Sequence, residues 1–267
     1  MKPLLLSLFI VIALCSPSEA GVAVIGNLAR TSTIKPGAAF EGVIFLKNTD
    51  SQAVDVRVSQ TDYVSHADGS NIYGEPGSAP RSNARWFTVT PSLLKLAPGE
   101  TQPVRYKGSA PADPKLHGTF WSMIMIEPNS APPITPENQP DKVAVGLQTT
   151  IRFAVQIVTE VGRDSVKSLK VLEKSIVQAG GKRVLQLDIG NDGEQLLIPS
   201  ITVELFDEKG ASIGRFDAGR TRIYPSCSVR AKVDLSGVPA GKYAAMVLLD
   251  SGEAQVMGAQ YDLELQP

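Results

Sequence analysis

The clearest pattern in the sequence is a run of sixteen residues, Val143 to Val158, in which apolar positions alternate with small or polar ones. A period of two predicts a β-strand with one buried face. The positions on the apolar face are Val143, Val145, Leu147, Thr149, Ile151, Phe153, Val155 and Ile157. At about 3.3 Å per residue the run would extend about 50 Å, whereas a usual strand has about five or six residues. The predicted strand is therefore longer than one sheet needs.

Two explanations of this long strand stay open. It can be an ordinary sandwich strand that bends between sheets or continues into a linker. Alternatively, it presents an open edge that pairs with a strand of another protein. The stretch before it, Pro128 to Lys142, contains five prolines and predicts a long, stiff, exposed loop. Such a loop suits capture of a partner, and it suits an ordinary spacer equally well.

Short apolar runs separated by turns fill the chain from Gly21 to about Glu160. Phe40 to Leu46, followed by the turn Asn48–Ser51 and the alternating run Val54 to Val58, predicts a hairpin. Further predicted elements are strands at Trp86–Val89, Leu93–Leu96, Val104–Tyr106 and Phe120–Ile126 and a polar surface loop at His66–Arg85. Together with the long strand they predict an immunoglobulin-like β-sandwich over residues 21–160.

A second set of strands is predicted over residues 161–267. The runs Val184–Ile189, Ile201–Leu205 and Tyr243–Leu249 each lead into a turn rich in Asp, Asn or Gly. Gly241-Lys242-Tyr243 fits a tyrosine corner, in which the hydroxyl binds the backbone of the preceding loop, but Tyr243 fits a plain core aromatic equally well. The predicted fold class is all-β, with two immunoglobulin-like β-sandwich domains.

The amino terminus predicts export. A lysine, the apolar stretch Leu4–Leu14 and the small-x-small sequence Ser18-Glu19-Ala20 fit a signal peptide over residues 1–20, and we expect a periplasmic protein. Cys15 raises the alternative of a lipoprotein, although the leucine before it stands where lipid attachment usually requires a small residue. After cleavage Cys227 is the single cysteine, so no internal disulfide is expected.

The charge and hydropathy of the chain exclude some classes of partner. The formal net charge is −1, so no basic field is expected that would attract nucleic acid or acidic lipid. The sequence has no second long apolar run after the signal peptide. We therefore expect no stable membrane insertion.

Catalytic or metal-binding motifs are absent from the sequence. Its two histidines, His66 and His117, have no companion at metal-ligand spacing and are predicted to be surface or turn residues. The acidic residues in turns, Asp192, Asp207, Glu208 and Asp250, are predicted to stabilise those turns. The aromatics Trp86, Phe87, Phe120 and Trp121 are expected to fill the first core rather than to form a stacking platform. Neither enzymatic activity nor a cofactor is expected.

Four segments of the first domain resemble the periplasmic chaperones of the chaperone-usher pathway for pilus assembly. They are Trp86–Pro91, Leu94–Arg105, Phe120–Pro128 and Val143–Arg152, in that order. The resemblance implies two immunoglobulin-like domains in an L or boomerang shape. It also implies that the last strand of the first domain lends apolar side chains to an incomplete pilin sandwich.

Carried over by position, the resemblance implies site residues. Val143, Val145 and Leu147 would be the donor side chains that bind the partner. Arg152, with Arg30 on the first strand, would anchor the partner's terminal carboxylate, although either arginine also fits a plain surface residue. Leu116–Thr119 stands where the family usually has a charged Arg-Glu-Ser-like motif, which indicates a divergent branch.

The sequence thus predicts a periplasmic chaperone that stabilises secreted pilus or surface-fibre subunits by donating a β-strand, without nucleotide. Pilin-like or surface-fibre subunits are the expected partners, together with an outer-membrane usher. The alternative is a non-enzymatic envelope scaffold or adhesion protein with immunoglobulin-like domains. A third reading, a carbohydrate-active enzyme, requires two facing carboxylates, and nothing in the sequence indicates them.

Overall fold

The computed structural model of the protein describes residues 21–129, 151–162, 165–252 and 256–266. The predicted signal peptide lies outside these residues. The first ten strands form two facing sheets. Their bounds are β1 (Val22–Ile25), β2 (Ala29–Ile34), β3 (Ala39–Asn48), β4 (Val54–Ser65), β5 (Asn71–Gly74), β6 (Phe87–Thr90), β7 (Leu93–Leu96), β8 (Thr101–Ser109), β9 (Gly118–Asn129) and β10 (Phe153–Val161), with a short 3-10 helix at Ala84–Trp86.

The first sandwich consists of one sheet in the order β1-β3-β8-β6 and another in the order β2-β10-β9-β4-β5, with β7 also paired to β4. Its strand pairs are antiparallel except for β2 and β10, which run parallel. The chain passes from one sheet to the other at Gly26, whose φ of +92° favours glycine. Alternate side chains of both sheets meet in a core that includes the fully buried Ile44, Val104 and Ile124.

The second sandwich also consists of two facing sheets. Its strands are β11 (Leu169–Ala179), β12 (Lys182–Asn191), β13 (Ser200–Phe206), β14 (Ser212–Arg220), β15 (Ser228–Asp234), β16 (Gly241–Asp250) and β17 (Val256–Leu265). They form the sheets β11-β12-β15 and β14-β13-β16-β17 around a core that includes Leu187, Val203 and Ile223. The predicted fold class, all-β with two immunoglobulin-like sandwiches, is confirmed. Among the described residues no helix is long and apolar enough to cross a membrane.

The predicted hairpin between Phe40–Leu46 and Val54–Val58 is wrong. These runs lie in β3 and β4, which belong to opposite sheets: β3 pairs with β1 and β8, and β4 pairs with β5, β7 and β9. Apolar and polar residues alternate along both strands because each strand presents one face to the same core. Alternation predicts a strand and its buried face, but it does not predict the neighbour.

An asparagine ends one strand of each sandwich, β3 and β12, in the same way. The amide nitrogen of Asn48 donates to the carbonyl oxygens of Gln52 and Leu96, and its side-chain oxygen accepts from the backbone amide of Asp50. Asn191 makes the equivalent three bonds to Gln195, Ile223 and Gly193. Both side chains are almost fully buried. In both turns the asparagine side chain therefore forms hydrogen bonds with backbone groups that the end of the strand leaves unpaired.

Tyr243 forms the tyrosine corner that its sequence context suggested. Its hydroxyl donates to the carbonyl oxygen of Pro239, four residues earlier, at 3.0 Å. The ring is half-buried and packs against the core of the second sandwich. This hydrogen bond fixes the loop before β16.

The predicted surface loop His66–Arg85 is partly wrong. It contains β5, and its last part packs on the core-facing side of β9 and β10, where Asn83 bonds to Ser122 and Thr159. Asn83 is fully buried there, and its amide nitrogen donates to the carbonyl oxygens of Phe120 and Ile157 and to the hydroxyl of Thr159. Polar residues near the end of the segment make buried hydrogen bonds. In the sequence they cannot be distinguished from the polar residues of an exposed loop.

Candidate functional site

The strand β10 has unequal neighbours on its two edges. Along one edge it pairs with β9 over its whole length, from Phe153 to Val161. Along the other edge β2 pairs only with Gln156–Val161. Within the described ranges, Phe153–Val155 therefore have no strand beside them on the β2 side. This open edge lies at the end of β10 that receives the predicted donor segment.

The two faces of β10 have different surroundings. Val155 and Ile157 point into the core of the first sandwich and are fully buried. Gln156 and Val158 point outward, where both contact side chains of the second sandwich. Ile151, just before β10, is 47% exposed. Burial of the alternating run thus begins within β10.

The predicted donor residues Val143, Val145 and Leu147 lie outside the described residues. Their role in binding a partner strand stays a prediction. The described part of the run carries the same alternation up to the open edge of β10.

Arg152 directly precedes β10 and lies beside Glu127 of β9. Continuing the register of Phe153 with Ile126 places Arg152 opposite Glu127, and Nε of Arg152 is 3.2 Å from a carboxylate oxygen of Glu127. The Arg152 side chain is 62% exposed. Its remaining N–H groups are therefore accessible to a further acceptor.

Arg30 lies on the other face of the sheet. It is opposite Ile157 in the parallel pair of β2 and β10, and paired residues project to the same side. Its guanidinium lies beside Gly26 and donates to the carbonyl oxygen of Ile25 at 3.3 Å, while its buried Nε has no partner. Burial raises the pKa of Tyr106, and the charge of Arg30 opposes this shift.

The structure does not bring the two arginines of the predicted carboxylate anchor together. Arg30 is in register with a core-facing residue of the sheet. Arg152 lies an even number of residues from Gln156, so it belongs to the outer face instead. The anchor stays a prediction. Their separation follows from the register of β2, which cannot be read from the sequence.

A compact apolar contact joins the two sandwiches next to β10. Trp121 and Val158 of the first sandwich pack against Tyr224 and Cys227 of the second. The rings of Trp121 and Tyr224 are stacked, with centroids 4.7 Å apart and planes inclined by 27°. The expectation that Trp121 fills the first core is wrong, because its side chain points from the outer face of β9. Its indole N–H donates to the carbonyl oxygen of Tyr63 at 2.8 Å.

Burial changes the chemistry of two groups in this contact. It raises the pKa of Tyr224 to about 12, so the phenol stays neutral and donates to Oε1 of Gln156 at 2.8 Å. It also raises the pKa of the Cys227 thiol. A buried, protonated thiol is a poor nucleophile, so Cys227 acts as a packing residue.

A polar cleft of about 540 Å³ opens beside this contact, between the two sandwiches. Tyr63, His66 and Gln156 line it from the first sandwich, and Arg230 and Lys232 from the second. The guanidinium of Arg230 forms two 2.7 Å hydrogen bonds with Asp188. No local pattern in the sequence predicts this cleft, because its walls come from segments far apart in the chain.

In the part of the chain that the structure describes, no three His, Cys, Asp or Glu side chains come close enough to hold a metal ion. Asp207 and Asp250 each accept hydrogen bonds from backbone amides of their own turns, as predicted. His117, predicted to be a surface or turn residue, contacts Glu194 of the second sandwich.

The chain is similar in fold to chaperones of fimbrial assembly. No family model and no curated relative matches it. A chain of a chaperone-tip adhesin complex of CFA/I fimbriae biogenesis is 12% identical, with 90% of this chain and 98% of that chain covered and a TM-score of 0.49. The class 5 fimbriae chaperone CfaA is 11% identical, with 92% and 99% covered and a TM-score of 0.46.

A further similar structure is the CsuC-CsuE chaperone-tip adhesion subunit pre-assembly complex of Acinetobacter baumannii. The matching chain is 13% identical, with 90% of this chain and 98% of that chain covered and a TM-score of 0.44. At such identities the similarity concerns the fold alone. It assigns no role to individual residues of this chain.

Proposed function

We propose that this protein is a periplasmic chaperone that holds a subunit of a pilus or other surface fibre by donating a β-strand. The donor strand is the segment before β10, with Val143, Val145 and Leu147 as the side chains that enter the partner. An outer-membrane usher would receive the subunit. The step requires no covalent chemistry and no nucleotide.

The open edge of β10 is the observation that carries this proposal. Among the described residues, Phe153–Val155 pair with β9 and not with β2, and the alternating run continues from them toward Val143. An extended partner strand that pairs with such an edge gains backbone hydrogen bonds, and side chains two residues apart enter successive pockets. Each fully buried Val or Leu contributes about 1.5 to 3 kcal/mol before ordering costs.

Arg152 fits the role of anchor within this proposal. It lies at the junction between the predicted donor segment and β10, and it is exposed. A guanidinium binds a carboxylate with paired, charge-assisted hydrogen bonds. Glu127 would compete with that carboxylate, so the guanidinium of Arg152 would release Glu127 when it binds the partner's carboxylate.

Capture of a native subunit tests the proposal. The protein is purified from its own periplasm, bound chains are identified by mass spectrometry, and the recovered subunit serves as the probe. The variant Val145→Asp with Leu147→Asp should weaken binding of that subunit at least about 100-fold, because two apolar side chains leave their pockets. A further arm, Arg152→Ala, should weaken binding of a subunit with a free terminal carboxylate more than that of an amidated one.

A variant of equal charge on the opposite face of the segment is the control. Ala144→Asp with Gln148→Asp adds the same two carboxylates to the same strand, and it should leave capture nearly unchanged. Circular dichroism establishes that every variant is folded. Equal losses in both double variants, or no loss in either, would rule out strand donation. A partner that never exchanges onto a second subunit would instead favour a permanent envelope scaffold.

A further inference from the structure

The polar cleft between the two sandwiches is large enough to hold a small ligand. Its volume of about 540 Å³ exceeds that of a single oxyanion and falls in the range of small-molecule sites, about 300 to 1,000 Å³. Among the described residues that line it, the aliphatic side chains are those of Ala67 and Val229, and most of the others are polar or charged. The cleft therefore suits a polar ligand rather than an apolar one.

Positive charge exceeds negative charge on the described walls of this cleft. Arg222, Arg230 and Lys232 line it, and the carboxylate among these lining residues is that of Asp68. Arg230 is neutralised by Asp188, whose two carboxylate oxygens accept hydrogen bonds from its guanidinium at 2.7 Å. Within the described ranges neither Arg222 nor Lys232 forms an ion pair with a carboxylate. These two cations are therefore available to an anionic group of a ligand.

Hydrogen bonds and stacking hold the donors of the cleft in place. The hydroxyl of Tyr224 donates to Oε1 of Gln156 at 2.8 Å and accepts from Arg222. Tyr224 is itself held by its stacking on Trp121. These contacts orient Gln156 and leave its amide nitrogen without an acceptor in the part of the chain that the structure describes. The side-chain amide of Gln186, on the facing wall, is likewise unpaired among those residues.

At both glutamines the wall of the cleft is the face of a sheet and not its edge. Gln156 lies on β10 where that strand pairs with both β2 and β9, and Gln186 lies on β12 between β11 and β15. An extended peptide commonly binds by pairing with an open edge, which these positions do not offer. A saccharide is bound by side chains instead, because amides and hydroxyls bond its hydroxyl groups and an aromatic ring packs on its C–H face. Gln156, Gln186, Thr221 and Tyr63 supply these groups.

We propose that this cleft binds an acidic saccharide of about the size of a disaccharide. Lys232 and Arg222 hold the acid group, Gln156 and Gln186 bind hydroxyl groups, and the ring of Tyr63 packs against the sugar. A carboxylate and a sulfate ester present similar anionic oxygens to the two cations, so the test has to distinguish these two sources. Binding is non-covalent. The proposal is independent of strand donation, which uses the open edge of β10 and not the cleft.

Calorimetric titration of the full chain tests the site with matched probes, which are digalacturonate, lactose carrying a sulfate ester, lactose itself and the peptide triglutamate. At least one of the acidic sugars should bind about tenfold more tightly than lactose, because a hydrogen bond to a charged group contributes at least this factor. The acidic sugar that binds more tightly identifies the anionic group. Binding of neither acidic sugar, equal affinity for lactose, or triglutamate binding as tightly as the preferred sugar would overturn the proposal.

Two exposed lysines of the second sandwich supply matched variants. Lys232→Gln removes a cation from the cleft and should weaken binding of the preferred acidic sugar at least about tenfold, while the affinity for lactose stays the same. Lys209→Gln, in the turn between β13 and β14, removes the same charge outside the cleft and should leave both affinities unchanged. Equal losses in the two variants, or no loss in Lys232→Gln, would contradict the assigned site. Circular dichroism establishes that both variants are folded.

Discussion

At the scale of the residue, Asn83 shows how one buried side chain joins separate elements. Its amide nitrogen reaches carbonyl oxygens on β9 and β10, and its side-chain oxygen accepts from the hydroxyl of Ser122 at 2.6 Å. The side chain is fully buried, so none of these groups has water as a substitute. Asn83 thereby holds the segment before the 3-10 helix against the sheet that contains the candidate site.

Replacing Asn83 by alanine should lower the free energy of unfolding of the first sandwich by about 2 to 4 kcal/mol, because several buried polar groups lose their partner. Chemical denaturation followed by tryptophan fluorescence measures this, since both tryptophans, Trp86 and Trp121, lie in that sandwich. Asn27→Ala, at an exposed position, is the control and should change stability by less than about 0.5 kcal/mol. Equal effects of the two substitutions would contradict the role of the buried network.

The same scale shows what the sequence could not provide. Asn83 stands among polar residues that predict an exposed loop, and no local signal separates a buried amide from a solvated one. Arg152 could be placed near the site because it belongs to the alternating run itself. Arg30 could not, since its direction depends on the register of a parallel pair between distant segments.

At the scale of the element, alternation predicted strands well and their neighbours poorly. β10 was predictable because a period of two is a local property. The separation of β3 and β4 into opposite sheets was not, because both strands alternate whichever sheet they join. The open edge of β10 also depends on where β2 begins, so the candidate site required the structure.

Gly118 begins β9 at the place where the two sandwiches touch. Its φ is +92°, and an added Cβ would collide with the carbonyl oxygen of Glu194 and lie 2.7 Å from Nη1 of Arg81. Gly99 has a similar φ of +74°, but nothing lies within 4 Å of an added Cβ there. The two glycines share a backbone conformation and differ in their surroundings.

Gly118→Ala should therefore destabilise the protein more than Gly99→Ala does. Both substitutions carry the backbone strain of a positive φ, about 1 to 2 kcal/mol. Gly118→Ala adds the collision with Glu194, and we expect a further loss of at least about 2 kcal/mol. Thermal and chemical unfolding measure the difference. If the two variants were equally stable, the contact around Glu194 would have to be loose enough to yield to a methyl group.

At the scale of the whole molecule, contacts of different kinds hold the sandwiches together. The stacked rings of Trp121 and Tyr224 form an apolar contact beside β10, and Glu194 forms a polar one at the start of β9. The strand with the open edge supplies Gln156 and Val158 to the apolar contact. The second sandwich thus supports the outer face of β10.

This arrangement predicts that the sandwiches unfold together and that Tyr224 couples them. In the unmodified chain, tryptophan fluorescence, which reports the first sandwich, and far-ultraviolet circular dichroism, which reports both, should give coincident transitions. Tyr224→Ala removes the stacked ring and should separate the two transitions. Tyr224→Phe keeps the ring and loses the hydrogen bonds of the hydroxyl, to Gln156 and Arg222, so its transitions should stay coincident. Separate transitions already in the unmodified chain would mean that the contacts orient the sandwiches without coupling their stability.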